Sequence, residues 1–121
     1  MCQTTTPMAR LPFRAFRTIA VSGNSMSPTY NDGDWLLLKS IVRVDAKRAS
    51  AFIGKVVLIE RESYPGILLI KRVKRVDGNQ IWVEGDNSDA STDSRQWGAI
   101  TPEEIVGRVL IRYRWKRHPR N

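Results

Sequence analysis

A mainly β fold, in one compact domain with one or two short helical turns, is what this sequence predicts. Three observations carry it. Short strand-like runs are separated throughout by turn clusters of Gly, Pro, Asn and Asp. Near the carboxyl end, Val109, Ile111, Tyr113 and Trp115 alternate with Arg108, Leu110, Arg112, Arg114 and Lys116, the period of a strand with one apolar and one basic face. The length, 121 residues, supplies a modest core for one domain but not for two.

Residues 1–17 read as a flexible lead-in, residues 18–115 as the domain proper and residues 116–121 as a basic tail. A strand over residues 18–22 leads into a turn at Ser25. Asn31-Asp32-Gly33 is a second turn signal, and Trp35 opens the next strand. Residues 46–50 suit a brief helical turn. Strands follow over residues 56–60 and 67–76, divided by Tyr64-Pro65-Gly66. Asp77-Gly78-Asn79 is a hairpin turn into a strand around Ile81 and Val83. A loop of two or three residues there brings Lys71 opposite a position between Glu84 and Asp86. Thr101-Pro102-Glu103-Glu104 offers a capping threonine, a proline at the first helical position and a glutamate three residues on, so a turn or two of helix precedes the last strand.

Composition removes several classes of function. The single cysteine, Cys2, at a terminus expected to fray, builds no disulfide, which fits a reducing compartment. The single histidine, His118, cannot make a common zinc site with that cysteine, and a Ser-His-Asp triad would have to draw on the tail. No metal or cofactor is expected. The apolar runs from Trp35 to Leu38 and from Ile67 to Ile70 fall far short of the roughly 20 residues a membrane helix needs. The opening segment, with Arg10, Arg14 and Arg17, lacks a signal-peptide core. The chain therefore reads as soluble and cytoplasmic. A peripheral place at an anionic membrane surface is the alternative, because Leu11, Phe13 and Phe16 interleave those arginines. The net charge of +8 reads first as a solvated outer face and second as attraction to an acidic partner. Trp35, Trp82, Trp97 and Trp115 read mainly as packing residues.

Three blocks carry the chemistry. Gly23-Asn24-Ser25-Met26-Ser27-Pro28-Thr29 offers a hydroxyl on a tight turn, Leu69-Ile70-Lys71-Arg72 an amine in an apolar strand, and Gly85-Asp86-Asn87 through Asp93-Ser94-Arg95 and Gly98 a polar loop. A serine needs a base to become a nucleophile. A free lysine, with a pKa near ~10.4, serves only if it loses solvation, and bringing it near neutrality costs about 3 to 4 kcal/mol. Strand alternation puts Lys71 on the face of Ile67, Leu69 and Val73, the apolar setting this requires. Taken singly, Ser25 reads as a turn serine, Lys71 as a strand-end lysine that snorkels to water, and Asp86, Asp93 and Arg95 as a loop's internal ion pairing. Taken together they read as a serine protease whose base is lysine.

These blocks, with Gly33-Asp34 between the first two and Ser91 in the third, resemble the successive boxes of type I signal peptidases over residues 18–114. The resemblance implies a signal-peptidase-like β domain, Ser25 as acylating nucleophile and Lys71 as general base. It implies Ser91 as the group that orients the lysine amine, and Asp93 with Arg95 as braces of the loop. The Ser25 N–H would give part of an oxyanion hole. Several signal peptidases add a serine two residues before the nucleophile; Gly23 stands there in this chain, and Asn24 is the candidate second donor. Two further departures are the absence of an N-terminal membrane anchor and of a second β domain between the lysine and the Gly-Asp-Asn box. The small size and the ending Gly107-Arg108-Val109-Leu110-Ile111-Arg112-Tyr113 resemble the maturation proteases of nickel-containing superoxide dismutase. That implies a precursor protein as substrate, from which an N-terminal extension is removed.

Two rivals stand beside this reading. A self-cleaving repressor-type peptidase shares the dyad, but such proteins cut themselves at Ala-Gly or Cys-Gly, and neither dipeptide occurs here. A basic β module binding nucleic acid rests on charge and aromatic content alone, without a recognisable motif, so nucleic acid is not the expected partner.

Overall fold

In this computed structural model, which describes residues 2–3, 16–41 and 44–114, the strands follow in the order β1 (Cys2–Gln3), β2 (Phe16–Ala20), β3 (Trp35–Ser40), β4 (Val56–Glu60), β5 (Ile67–Asp77), β6 (Gln80–Glu84) and β7 (Ile105–Arg114). All pair antiparallel in one sheet ordered β1-β5-β4-β7-β3-β2, with β6 also on β5. The helical content expected at residues 46–50 appears as α1 (Ala46–Ala49), capped by the Asp45 side chain and run on into a 3-10 turn, Ser50–Phe52. A second short helix, α2, covers Ser94–Trp97. The Thr101 signal gives a single 3-10 turn, Pro102–Glu104, with the reciprocal capping that its sequence announces.

The sheet is apolar on both faces where it is central. Successive strand residues point to opposite faces. Along β4, Val56 and Leu58 join one buried cluster, with Ile19, Met26, Leu36, Leu38 and Ile70, while Val57 and Ile59 join another, with Val73, Ile81, Val83 and Ile105. That is why β4 is an unbroken apolar run.

The hairpin between β5 and β6 settles the register left open by the sequence. Asp77 pairs with Gln80 across a two-residue loop in which Gly78, at φ +61°, takes a left-handed conformation that costs glycine nothing. A register shift between Val73 and Arg75 makes Lys74 the extra residue, and the last pair is Arg72 with Glu84. Lys71 therefore stands one step beyond, level with Gly85.

Three expectations are corrected. Cys2 and Gln3, placed at a frayed end, pair with Leu68 and Ile67 of β5. The first long strand begins at Phe16 rather than residue 18. The alternation of the last strand does not run through. Leu38 pairs with Val109 but Leu37 with Ile111, and Leu36 pairs with Arg112 but Trp35 with Arg114, so Leu110 and Tyr113 are extra residues, the first of which reverses the faces. Beyond Leu110, Ile111 and Tyr113 are 54% and 43% exposed, while Arg112 turns inward to the Thr29 carbonyl oxygen at 2.9 Å and to Asp34 Oδ2 at 3.2 Å. Trp115, His118 and the basic tail, like Arg10, Leu11, Phe13 and Arg14, lie outside the described residues.

Candidate active site

Ser25 sits in a loop whose neck is closed by backbone hydrogen bonds. The Val21 N–H donates to the Asp34 carbonyl and the Gly33 N–H to the Val21 carbonyl, each at 2.8 Å. Gly23, at φ +91°, donates its N–H to Asp32 Oδ1, and Met26, 1% exposed, anchors the loop in the core beneath. The loop is therefore held by its own turn chemistry and by one apolar peg, and Ser25 next to that peg is only 8% exposed. Asn24 is exposed, its carbonyl accepting from the Ser27 N–H and the Asn87 side-chain amide.

Lys71 is 3% exposed, on the face of β5 shared with Leu69 and Val73. Its Nζ donates to Ser91 Oγ at 3.0 Å, and Ser91 Oγ donates in turn to Asp93 Oδ2. Asp93 also receives the Gly85 N–H, the Arg95 N–H, and the Nε and Nη2 of Arg95, while capping α2 with Gln96 as reciprocal partner. Burial alone would raise the Asp93 carboxyl, but these hydrogen bonds, led by Arg95 and Ser91, outweigh it and hold the group well below the usual carboxylate range. Asp93 with Arg95 is the ion pair the sequence indicated, at 2.7 Å.

Asp86 differs from its expected role as a partner within its own loop. It takes a two-pronged pair from Arg72, Nε to Oδ1 at 2.9 Å and Nη2 to Oδ2 at 2.7 Å, and a third bond from the Thr29 hydroxyl. The Arg72 bonds hold its carboxyl below the ordinary value, against the opposing effect of burial. Asp86 thus ties β5 to the Ser25 loop. The Asn87 N–H adds a bond to the Ser25 carbonyl at 2.9 Å.

Gly85 is the residue whose importance sequence reasoning understated. A Cβ there would stand 2.6 Å from the Ser25 carbonyl oxygen and would collide with Ser91 Oγ. The signal available was its place: the only residue between the strand level with Lys71 and the Asp-Asn pair. Trp97, read as packing, lines the same cavity as Ser25 and Lys71, with Tyr64, Ile67 and Leu69. Arg61 lies 4.6 Å over its ring and 3.4 Å from Glu104, which fixes the indole from behind. The cavity, about 410 Å³, presents a hydroxyl and an amine within mostly apolar walls. Ser25, Lys71, Ser91, Asp93 and Arg95 are therefore gathered by β5, the Ser25 loop and the loop after β6.

Residues 8–110 match the family described as Peptidase S24-like. The chain is 29% identical to the mitochondrial inner membrane protease subunit 1 of Xenopus tropicalis, over 78% of this chain and 66% of that protein. It is 30% identical to the mitochondrial ATP-independent inner membrane protease subunit 1a of Arabidopsis thaliana, over 78% of this chain and 68% of that protein. A shorter stretch, 32% of this chain and 20% of the other, is 41% identical to a probable signal peptidase I-1 of Synechocystis. Among the described residues no helix is long and apolar enough to cross a membrane. The chain belongs to the Peptidase S24-like family, with the mainly β fold and the peptidase role that a signal-peptidase-like protein carries.

Proposed function

We propose that this protein is a serine endopeptidase in which Lys71 deprotonates Ser25. The observation that carries the reading is one cavity bordered by both side chains, each buried, with the lysine amine tethered to Ser91. Removal from water favours the neutral amine, the form a base requires. Ser25 Oγ attacks the scissile carbonyl as Lys71 Nζ takes its proton, and the collapsing tetrahedral intermediate expels the amine with that proton returned to it. Lys71 then activates the water that hydrolyses the acyl-enzyme. The Ser25 N–H, with Asn24 as second donor, would receive the oxyanion. Ser91 holds Nζ in place, and Asp93 with Arg95 holds Ser91.

The substrate is an extended segment of a precursor protein. Along one edge β5 is paired by β1 at Ile67 and Leu68 and by β6 from Arg72 onward. A peptide laid down as a short strand along β5 between those two pairings would run beside the Lys71 amine. The precursor of a nickel-type superoxide dismutase is the specific substrate nominated by the resemblance of the last strand. The setting we propose is cytoplasmic, with a peripheral place at a membrane as the alternative that cell fractionation decides.

The test compares peptides released or trapped from a precursor library by the wild-type chain and by Ser25→Ala. Cleavage of an N-terminal extension by the wild type alone supports the reading. Cleavage that persists in Ser25→Ala refutes it, and two fragments of the enzyme itself in its intact mass favour self-cleavage instead.

A further inference from the structure

Where β3 ends, beside α1 and the 3-10 turn after it, a second cavity of about 340 Å³ is bordered by Ser40, Arg48 and Arg108, with Ile41, Val44 and Phe52 as apolar walls. It shares no lining residue with the cavity of Ser25 and Lys71. Ser40 is 5% exposed, yet its hydroxyl has no hydrogen-bond partner among the described residues. The Nε of Arg108 is buried and equally unpaired. No carboxylate of the described residues pairs with Arg48 or Arg108. A buried donor without an acceptor is costly, and such groups in native proteins call for an explanation.

The missing acceptor has a definable chemistry. Two guanidinium forks and a hydroxyl offer donors, so a complementary ligand is rich in acceptors and negatively charged. The volume exceeds what a bare tetraoxyanion fills, and Phe52, Ile41 and Val44 offer the excess to an apolar group. We infer that this cavity is a binding site for a small organic oxyanion, a phosphate monoester with an apolar body, held by Ser40, Arg48 and Arg108.

Calorimetric titration of the whole chain with phenyl phosphate, inorganic phosphate and benzyl alcohol tests this. Saturable binding of phenyl phosphate is expected, with a Kd of about 1 mM or tighter at low ionic strength. Inorganic phosphate should bind about tenfold more weakly for want of the apolar contact, and benzyl alcohol should not saturate. Arg48→Gln and Arg108→Gln should each weaken phenyl phosphate about tenfold or more, and Ser40→Ala several-fold. Arg48 is exposed on α1, so its variant keeps the test decisive even if Arg108→Gln folds poorly. The Ser25→Ala variant should bind as the wild type does, which separates this site from the proposed peptidase. Absence of saturable binding, or binding undiminished in Arg48→Gln, would overturn the assignment. Equal affinity for inorganic and phenyl phosphate would refute the apolar half of it.

Discussion

Around Asp93, buried polar groups are bonded to one another: Lys71 to Ser91, Ser91 to Asp93, and Asp93 to Gly85 and Arg95. Around Ser40, at the other cavity, a buried hydroxyl and a buried guanidinium nitrogen lack partners among the described residues. Both regions put polar atoms into apolar surroundings, and they carry that burden differently. In the first, the cost of desolvation is offset inside the protein, so the arrangement is fixed before any substrate arrives. In the second, it is left outstanding, to be met by whatever enters. A preorganised network should be brittle to substitution, and an unsatisfied one indifferent.

The comparison can be broken at several points. The largest effect on stability is expected at Gly85→Ala, because the new methyl meets the Ser25 carbonyl and the Ser91 hydroxyl together. Stability should fall by about 3 kcal/mol and peptidase kcat/KM by at least ~100-fold, read by denaturant titration and peptide cleavage. Asp93→Ala comes next. It strips several donors of their acceptor in a site where Asp93 is fully buried but Arg95 is partly exposed, so a loss of about 2 to 3 kcal/mol is expected in the same titration. Arg72→Ala should cost less, about 1 kcal/mol, since its pair with Asp86 is partly open to solvent. Ser40→Ala is the smallest, within about 0.5 kcal/mol of wild type or slightly stabilising, because the hydroxyl it removes has no partner to abandon. A loss above 2 kcal/mol there would mean the two regions are built alike.

Acid sharpens the same contrast. Asp93 and Asp86 have folded-state values below their unfolded ones. Their contribution to stability is complete above the unfolded value of about 4, and it drains away as pH falls from there toward the folded values. Chemical denaturation as a function of pH should show stability falling below about pH 4, with a shallower fall in Asp93→Asn than in the wild type.

Much of this was legible in the sequence, for reasons that differ by residue. Turns dictated by Asp77-Gly78-Asn79 and Asn31-Asp32-Gly33 are local, so their strands were readable, and the hairpin alone brought Lys71 level with the Gly85 loop. Asp93 and Arg95 formed the ion pair read from the sequence, whereas the short helix that Asp93 caps was not read there. Bulges were not legible. Leu110 and Tyr113 look like any strand residues, yet each is an extra one, and the slip at Leu110 reverses Ile111 and Arg112 because side-chain period two makes every one-residue slip a change of face. Long-range choices were equally hidden: Asp86 chose Arg72 and Thr29 over its own loop, and Trp97 joined the cavity of Ser25.

The central claim is that the Lys71 amine, rather than its mere bulk, activates Ser25. The most direct measurement is kcat/KM for precursor peptide cleavage by Lys71→Met, which keeps the buried stem and deletes the amine, with a thermal melt alongside to show the fold retained. The account predicts a melt close to wild type and a loss of cleavage of about 1000-fold or more. A folded Lys71→Met enzyme within tenfold of wild type would contradict it.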